Sequence, residues 1–185
     1  MKHTLSITLV VALACLAVSA CGAKCERTEL IKFAKIVEST KPQANRLINR
    51  FNALQKLKNG SKDMRKLAED MAQLVVDMDS FLQPVKEMKP KSKDVQKLRN
   101  EYLLIWTSLQ DAMKMALEVL ITRDPRLAAT LQDRMMEKNN AYFSNLQRFN
   151  SDYSIIMRRY GITPDEVGIT PRRPVVIPFS PSASP

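Results

Sequence analysis

Four segments of the chain have helical periodicity: apolar residues recur mostly at alternating spacings of three and four at positions 30–54, 64–88 and 95–119, and more loosely at positions 127–160. This spacing is typical of helices whose side chains mesh along a seam, crossing at about 20°. No segment shows the strict apolar–polar alternation of a half-buried strand. The seam positions are Leu30, Phe33, Val37, Thr40, Ala44, Leu47, Phe51 and Leu54; Met64, Leu67, Met71, Leu74, Met78, Phe81, Val85 and Met88; Val95, Leu98, Tyr102, Ile105, Leu109, Ala112, Ala116 and Val119; and Leu127, Leu131, Met135, Tyr142, Leu146, Phe149, Tyr153, Ile156 and Tyr160.

Turn and capping residues separate these segments. They are Asn59-Gly60 with Ser61 as a cap, Lys89-Pro90-Lys91 with Ser92 as a cap, Asp124-Pro125, and Gly161. Because the connections are short, neighbouring helices must run antiparallel. The sequence therefore predicts an all-α protein, an elongated up-down-up-down four-helix bundle over residues 28–160.

Two prolines interrupt the periodic segments. Pro42 and Pro84 should each cost roughly 3 kcal/mol inside a helix, because proline lacks the N–H and its ring clashes with the preceding turn. The seam keeps its phase through both prolines, which favours kinks. A true break at Pro42 is the alternative, and it would give five helices in the same fold class.

The first twenty residues have the pattern of an export signal. A short basic start precedes an apolar run from Leu5 to Ala17 and small residues up to Ala20. The run is about 13 residues long, which is shorter than the roughly 20 that span a bilayer. We interpret residues 1–20 as a cleaved signal peptide.

Val18-Ser19-Ala20-Cys21 resembles the lipobox of bacterial lipoproteins, in which an aliphatic residue and two small residues precede a cysteine. The resemblance covers only the leader. It implies that the Cys21 thiol carries a diacylglyceryl group, that palmitate-type acyl chains anchor the mature N-terminus, and that residues 21–27 are the lipidated tether. The alternatives are ordinary secretion with cleavage after Ala20 or Ala23, and lipidation at Cys15, which fits the box less well.

The resemblance also implies a location. In lipoproteins of bacteria with two membranes, an Asp after the lipidated cysteine usually signals retention in the inner membrane, and this chain has Gly22 there. We therefore expect the protein on the periplasmic face of the outer membrane, held by two or more acyl chains. Residues 161–185, which contain six of the ten prolines, are expected to form a disordered or extended tail.

The composition argues against catalysis. The one histidine is His3, in the leader, so the mature chain lacks the residue used by most general bases and zinc sites. Four scattered glycines form no phosphate loop, and no Cys-x-x-Cys is present. We expect no enzymatic activity, cofactor or metal.

Two weaker features remain. Asp63, Asp70 and Asp77 share a helix face that either binds a cation or pairs with Lys66. Cys25 either bridges two chains or is inert.

Charge gives the remaining signal. The formal net charge is +10, or +9 without the leader, and residues 21–60 hold nine basic and three acidic residues. Lys32, Lys35, Arg46 and Arg50 share the face of the first helix opposite its seam, and they are the predicted contact with an anionic surface. The partner would be anionic lipid, an acidic protein or a glycan rather than nucleic acid; the alternative is a merely solvated face. The sequence predicts no oligomeric state.

The leading functional hypothesis is a non-catalytic, lipid-anchored bundle of the cell envelope that binds or scaffolds an envelope component. A small lipidated helical bundle is also similar to pilotins, which bind a helix of a secretion or pilus subunit. The alternative function is therefore a pilotin-like chaperone in the periplasm.

Overall fold

A computed structural model describes residues 3–57 and 63–168, with side chains described from Lys24 onward. The helices are α1 (His3–Leu57), α2 (Met64–Glu87), α3 (Lys93–Ile121) and α4 (Pro125–Arg159), followed by a short 3-10 helix, Asp165–Val167. The four helices pack against one another, which confirms the all-α bundle. The leader's side chains and the tail from residue 169 lie outside the described residues.

Contacts between helices confirm the up-down-up-down order. Glu29, at the middle of α1, meets the loop that precedes α3, while Asp94 at the start of α3 pairs with Arg159 at the end of α4. These contacts define the N-terminal end of the bundle, formed by residues 24–29, 88–94 and 158–168. The opposite end, called the far end, is formed by Leu57, Met64 and residues 120–127.

The seam predicted from the sequence forms the core. All eight seam positions of α1 are buried, and Leu74, Met78 and Leu98 have no exposed surface. Two seam positions behave differently. Met64 and Leu127 are exposed, because each lies in the first turn of its helix at the far end, where no further layer covers it.

Large aromatic side chains connect α1, α3 and α4. The ring of Phe33 lies edge-on to Tyr102 and Phe149, with both centroid distances at 6.4 Å. The Thr40 and Tyr102 hydroxyls are 2.9 Å apart and buried, which explains how a polar residue occupies a seam position of α1. If one helix shifted along the other, a buried hydroxyl would lose its partner at a cost of roughly 1–3 kcal/mol. This contact therefore helps to fix the register of α1 against α3.

The structure tests the predictions for the two prolines and for the helix caps. α1 continues through Pro42 and α2 through Pro84, so neither is a break. Asp124 caps α4 as predicted. The cap of α2 was predicted wrongly: Asp63, rather than Ser61, accepts the bond from the Lys66 N–H. Ser92 occupies the cap position of α3, but its side chain makes no capping bond.

The folded unit extends beyond residues 28–160 at both ends. Residues 21–27 lie within α1 rather than forming a separate extended tether. Ile162 and Val167, assigned to the tail by the sequence, are buried against the bundle. All buried residues whose side chains are described fall between Leu30 and Val167. No helix in the described part is long and apolar enough to cross a membrane.

An ion pair connects the 3-10 segment to α1, and it should respond to pH. Glu166 accepts bonds from the Thr163 N–H at 2.9 Å and from the Arg27 guanidinium. These two contacts, the backbone bond first, hold the pKa of the Glu166 carboxyl below its ordinary value. Because the pKa of this carboxyl is lower in the folded state than in the unfolded state, the ion pair stabilises the fold above the unfolded-state pKa. That stabilisation is lost as pH falls through the folded-state pKa. We expect the protection of amides in residues 162–168, corrected for the intrinsic exchange rate at each pH, to fall below about pH 4, before protection falls in the core of α3. Glu166→Gln should show that low protection already at neutral pH; protection that does not change with pH would contradict the role of the pair.

Candidate functional site

The basic residues predicted on α1 lie along one face of that helix. Lys32, Lys35 and Arg46 are exposed, and none of them forms an ion pair within the described residues. Arg50 differs, because its guanidinium pairs with Asp77 of α2. Donation by the Gln73 amide and by Arg50 holds the pKa of the Asp77 carboxyl below its ordinary value. The far half of the predicted surface is thus partly neutralised inside the molecule.

The acidic face of α2 has local partners. Asp63 caps the helix and Asp77 binds Arg50 and Gln73. The expected ion pair with Lys66 takes another form, since the backbone N–H of Lys66 donates to Asp63. No group of three or more candidate metal ligands comes together in the part of the chain that the structure describes.

A second basic surface, which the sequence reasoning missed, lies on the loop between α2 and α3. Lys89, Lys91 and Lys93 are exposed within five residues, and none forms an ion pair among the described residues. We call these three side chains the lysine loop. The sequence contained the signal in Lys89-Pro90-Lys91, but it was interpreted only as a helix break.

The lysine loop is held in place by side chains of α1 and α3. The Glu29 carboxylate of α1 accepts bonds from the Lys91 N–H at 3.0 Å and the Ser92 N–H at 2.9 Å. Gln96 donates to the Pro90 carbonyl at 2.9 Å, and Arg99 donates to the carbonyls that end α2. Glu29 therefore places a carboxylate at the start of α3, where negative charge is favourable. The Ser92 hydroxyl makes no capping bond there.

The far end carries an apolar groove between α2 and α3. The groove is a shallow depression of about 480 Å³ that is largely open to solvent. Its lining residues are Met64, Arg65, Ala68, Glu69, Ala72, Leu120 and Ile121. Ile121 is 63% exposed, and Leu57 (55%) and Leu127 (48%) add further apolar surface at this end.

Polar residues border one side of this groove. Arg65 and Glu69 form an ion pair at 3.0 Å one turn apart on α2, and both are exposed. The connection of residues 58–62 lies outside the described residues. An exposed apolar patch that is bordered by charged residues is typical of a surface that binds another protein. The sequence pointed to Met64 and Leu127 only as core positions, because a seam does not show where its last layer ends.

The two cysteines singled out above fall on α1. Cys21 lies in the part of the helix whose side chains are not described, so its lipidation stays a prediction. Cys25 is exposed, and its role stays open. No known protein family matches the chain, and no curated protein or solved structure is significantly similar to it.

Proposed function

We propose that this protein is a non-catalytic, lipid-anchored bundle of the cell envelope that binds an envelope protein in its far-end groove. The observation that carries the proposal is the apolar groove between α2 and α3, flanked by exposed Leu57, Ile121 and Leu127. The anchor is supported by the leader and the lipobox, which are properties of the sequence.

The length of α1 separates the anchor from the groove. Cys21 and Leu57 lie on one continuous helix. At 1.5 Å per residue, the 36 residues between them give a separation of about 54 Å. Acyl chains on Cys21 would fix one end of this rod, and the other end would present the groove at a distance from the membrane surface.

The shape of the groove favours an apolar helix or strand as the bound segment. Ala68 and Ala72, one turn apart on α2, have small side chains that allow close approach of another backbone. Leu120, Ile121 and Met64 supply the apolar contacts, and burial of each such side chain contributes about 1.5–3 kcal/mol. A partner segment with two or three apolar residues on one face would match this surface.

The chain's own apolar stretch, Pro174–Phe179, is too short to fill the groove of the same molecule. It follows Gly168 by eleven residues at most, which reach about 40 Å when fully extended. The 3-10 helix is level with Arg27, and Leu57 at the far end lies 30 residues further along α1, or about 45 Å. Only the last residues of the stretch are long enough in reach to meet the near side of the groove at Ala72, so the stretch cannot fill the groove.

Site-specific photo-crosslinking in intact cells tests this proposal. A photoreactive residue at Ala72 should give a discrete adduct with an envelope protein, whereas one at the exposed Ser144 of α4 should not. Ile121→Arg should reduce the Ala72 adduct at least tenfold, because the groove then presents a charge to an apolar partner, while helix content is unchanged.

The outcomes separate the candidate functions. No adduct at Ala72, or an adduct insensitive to Ile121→Arg, would overturn binding in the groove. If the adduct is a secretin-type subunit that mislocalises when this protein is deleted, the pilotin-like chaperone function is favoured instead. A resident envelope protein that stays in place without this protein supports the scaffold function.

A further inference from the structure

The lysine loop concentrates positive charge at the N-terminal end of the bundle. Lys89, Lys91 and Lys93 are exposed, and Lys24 at the same end is exposed as well. Four acidic residues of this end already have partners: Asp94 binds Arg159 and Tyr160, Glu26 binds Tyr160, Glu29 binds the loop backbone, and Glu166 binds Arg27. Asp165 forms no ion pair among the described residues, and it lies on the 3-10 helix rather than beside the loop in sequence. Glu87 accepts a bond from Gln83. The lysine ammonium groups are therefore left to face solvent.

The loop has a defined height above the expected anchor. It is level with Glu29, whose carboxylate binds it, and Glu29 follows Cys21 by eight residues on one helix. That spacing corresponds to about 12 Å along the axis. Charges are screened over about 10 Å at 0.1 M salt and about 30 Å at 0.01 M, so a charged surface at the level of Cys21 lies at the edge of the loop's range at the higher salt and well within it at the lower.

The basic face of α1 extends further from the anchor than the lysine loop does, since Lys32 and Lys35 follow Cys21 by about 16 and 21 Å along the helix. Arg46 follows Cys21 by 25 residues, or about 37 Å along the helix, so it would reach the same surface only if the rod lay flat. Arg50, further along, already pairs with Asp77. The unpaired charge is thus better placed for an upright rod, standing on its N-terminal end, than for a flat one.

We propose that the lysine loop docks on anionic phospholipid headgroups and holds the bundle upright on the membrane. This inference rests on the proposed lipid anchor, and it deepens that function by assigning a second, electrostatic contact. It replaces the face of α1 as the main membrane contact. An upright rod keeps the far-end groove away from the bilayer and open to a partner.

Vesicle co-sedimentation tests the contact without depending on lipidation or on the groove. The protein is the chain after the leader with Cys21→Ser, which retains every core residue that the structure describes. The probe is phosphatidylcholine vesicles with and without phosphatidylglycerol, at low salt. Each lysine near an anionic surface strengthens binding by about 1 kcal/mol, or about fivefold. Replacing Lys89, Lys91 and Lys93 with Gln should therefore weaken binding to the anionic vesicles about 100-fold.

A matched control removes the same charge elsewhere. Lys56, Arg123 and Arg126 are exposed at or near the far end and form no ion pair in the described part of the chain. Changing all three to Gln should reduce binding less than fivefold. Circular dichroism of each variant confirms that the helices are retained, and about 1 M salt should release the parent protein.

Three outcomes would overturn the proposal. The first is equal binding of the lysine-loop variant and the far-end variant, which would indicate attraction by net charge alone. The second is loss of binding in the Lys32, Lys35, Arg46, Arg50→Gln variant with the lysine-loop variant unaffected, which would place the rod flat. The third is equal binding of the parent to vesicles with and without phosphatidylglycerol.

Discussion

Leu74→Asp should unfold the bundle. Leu74 has no exposed surface and lies at the centre of the α2 seam. The substitution removes a buried leucine, which contributes about 1.5–3 kcal/mol, and places an unpaired carboxylate where its burial costs several kcal/mol more. The total approaches the 5–15 kcal/mol, roughly, that stabilises a whole domain. The variant should already be unfolded at 25 °C, so heating followed by circular dichroism should show no cooperative transition.

The same helix offers a control for that substitution. Val76 is 57% exposed two residues away, so Val76→Asp adds the same carboxylate to the same helix without burying it. It should change the stability by less than about 1 kcal/mol. Fluorescence of Trp106, which is buried with its ring 4.7 Å from that of Phe81, gives an independent measure. A cooperative transition retained by Leu74→Asp would mean that the seam is not the core.

Cys21→Ser should abolish lipid attachment and release the protein from the membrane fraction. The serine hydroxyl does not replace the thiol that would carry the diacylglyceryl group. Metabolic labelling with a fatty-acid analogue should mark the parent chain and leave the variant unlabelled. Two acyl chains give a stable anchor, at about 0.8 kcal/mol per buried methylene, so their loss should outweigh any effect of the lysine loop.

Cys25→Ser is the matched control for the anchor. Cys25 lies four residues later on the same helix and is exposed. We expect its variant to be labelled and fractionated like the parent protein. Equal labelling of parent and Cys21→Ser, or a parent protein recovered only in the soluble fraction, would exclude the lipid anchor.

The basic residues of α1 and of the lysine loop show what one sequence alone does not reveal. Lys32, Lys35, Arg46 and Arg50 were predicted as one surface because helical spacing places them on one face. Spacing within one helix does not show that Asp77, 27 residues away, would pair with Arg50. The lysine loop was missed for the same reason, since its height relative to Cys21 depends on the contact between Glu29 and the loop backbone.

The sequence by itself determined the fold class, the helix order and most of the core, because these follow from local periodicity. Alternating spacings of three and four put one face of each helix in the core, and short connections force antiparallel neighbours. The boundaries of the folded unit were decided by tertiary structure. Ile162 and Val167 lie in a segment that looks like a tail until Arg27 and Glu166 bring it against α1. The far-end groove was also decided there, since Met64 and Leu127 continue the seam in sequence but are 40% and 48% exposed at the end of the bundle.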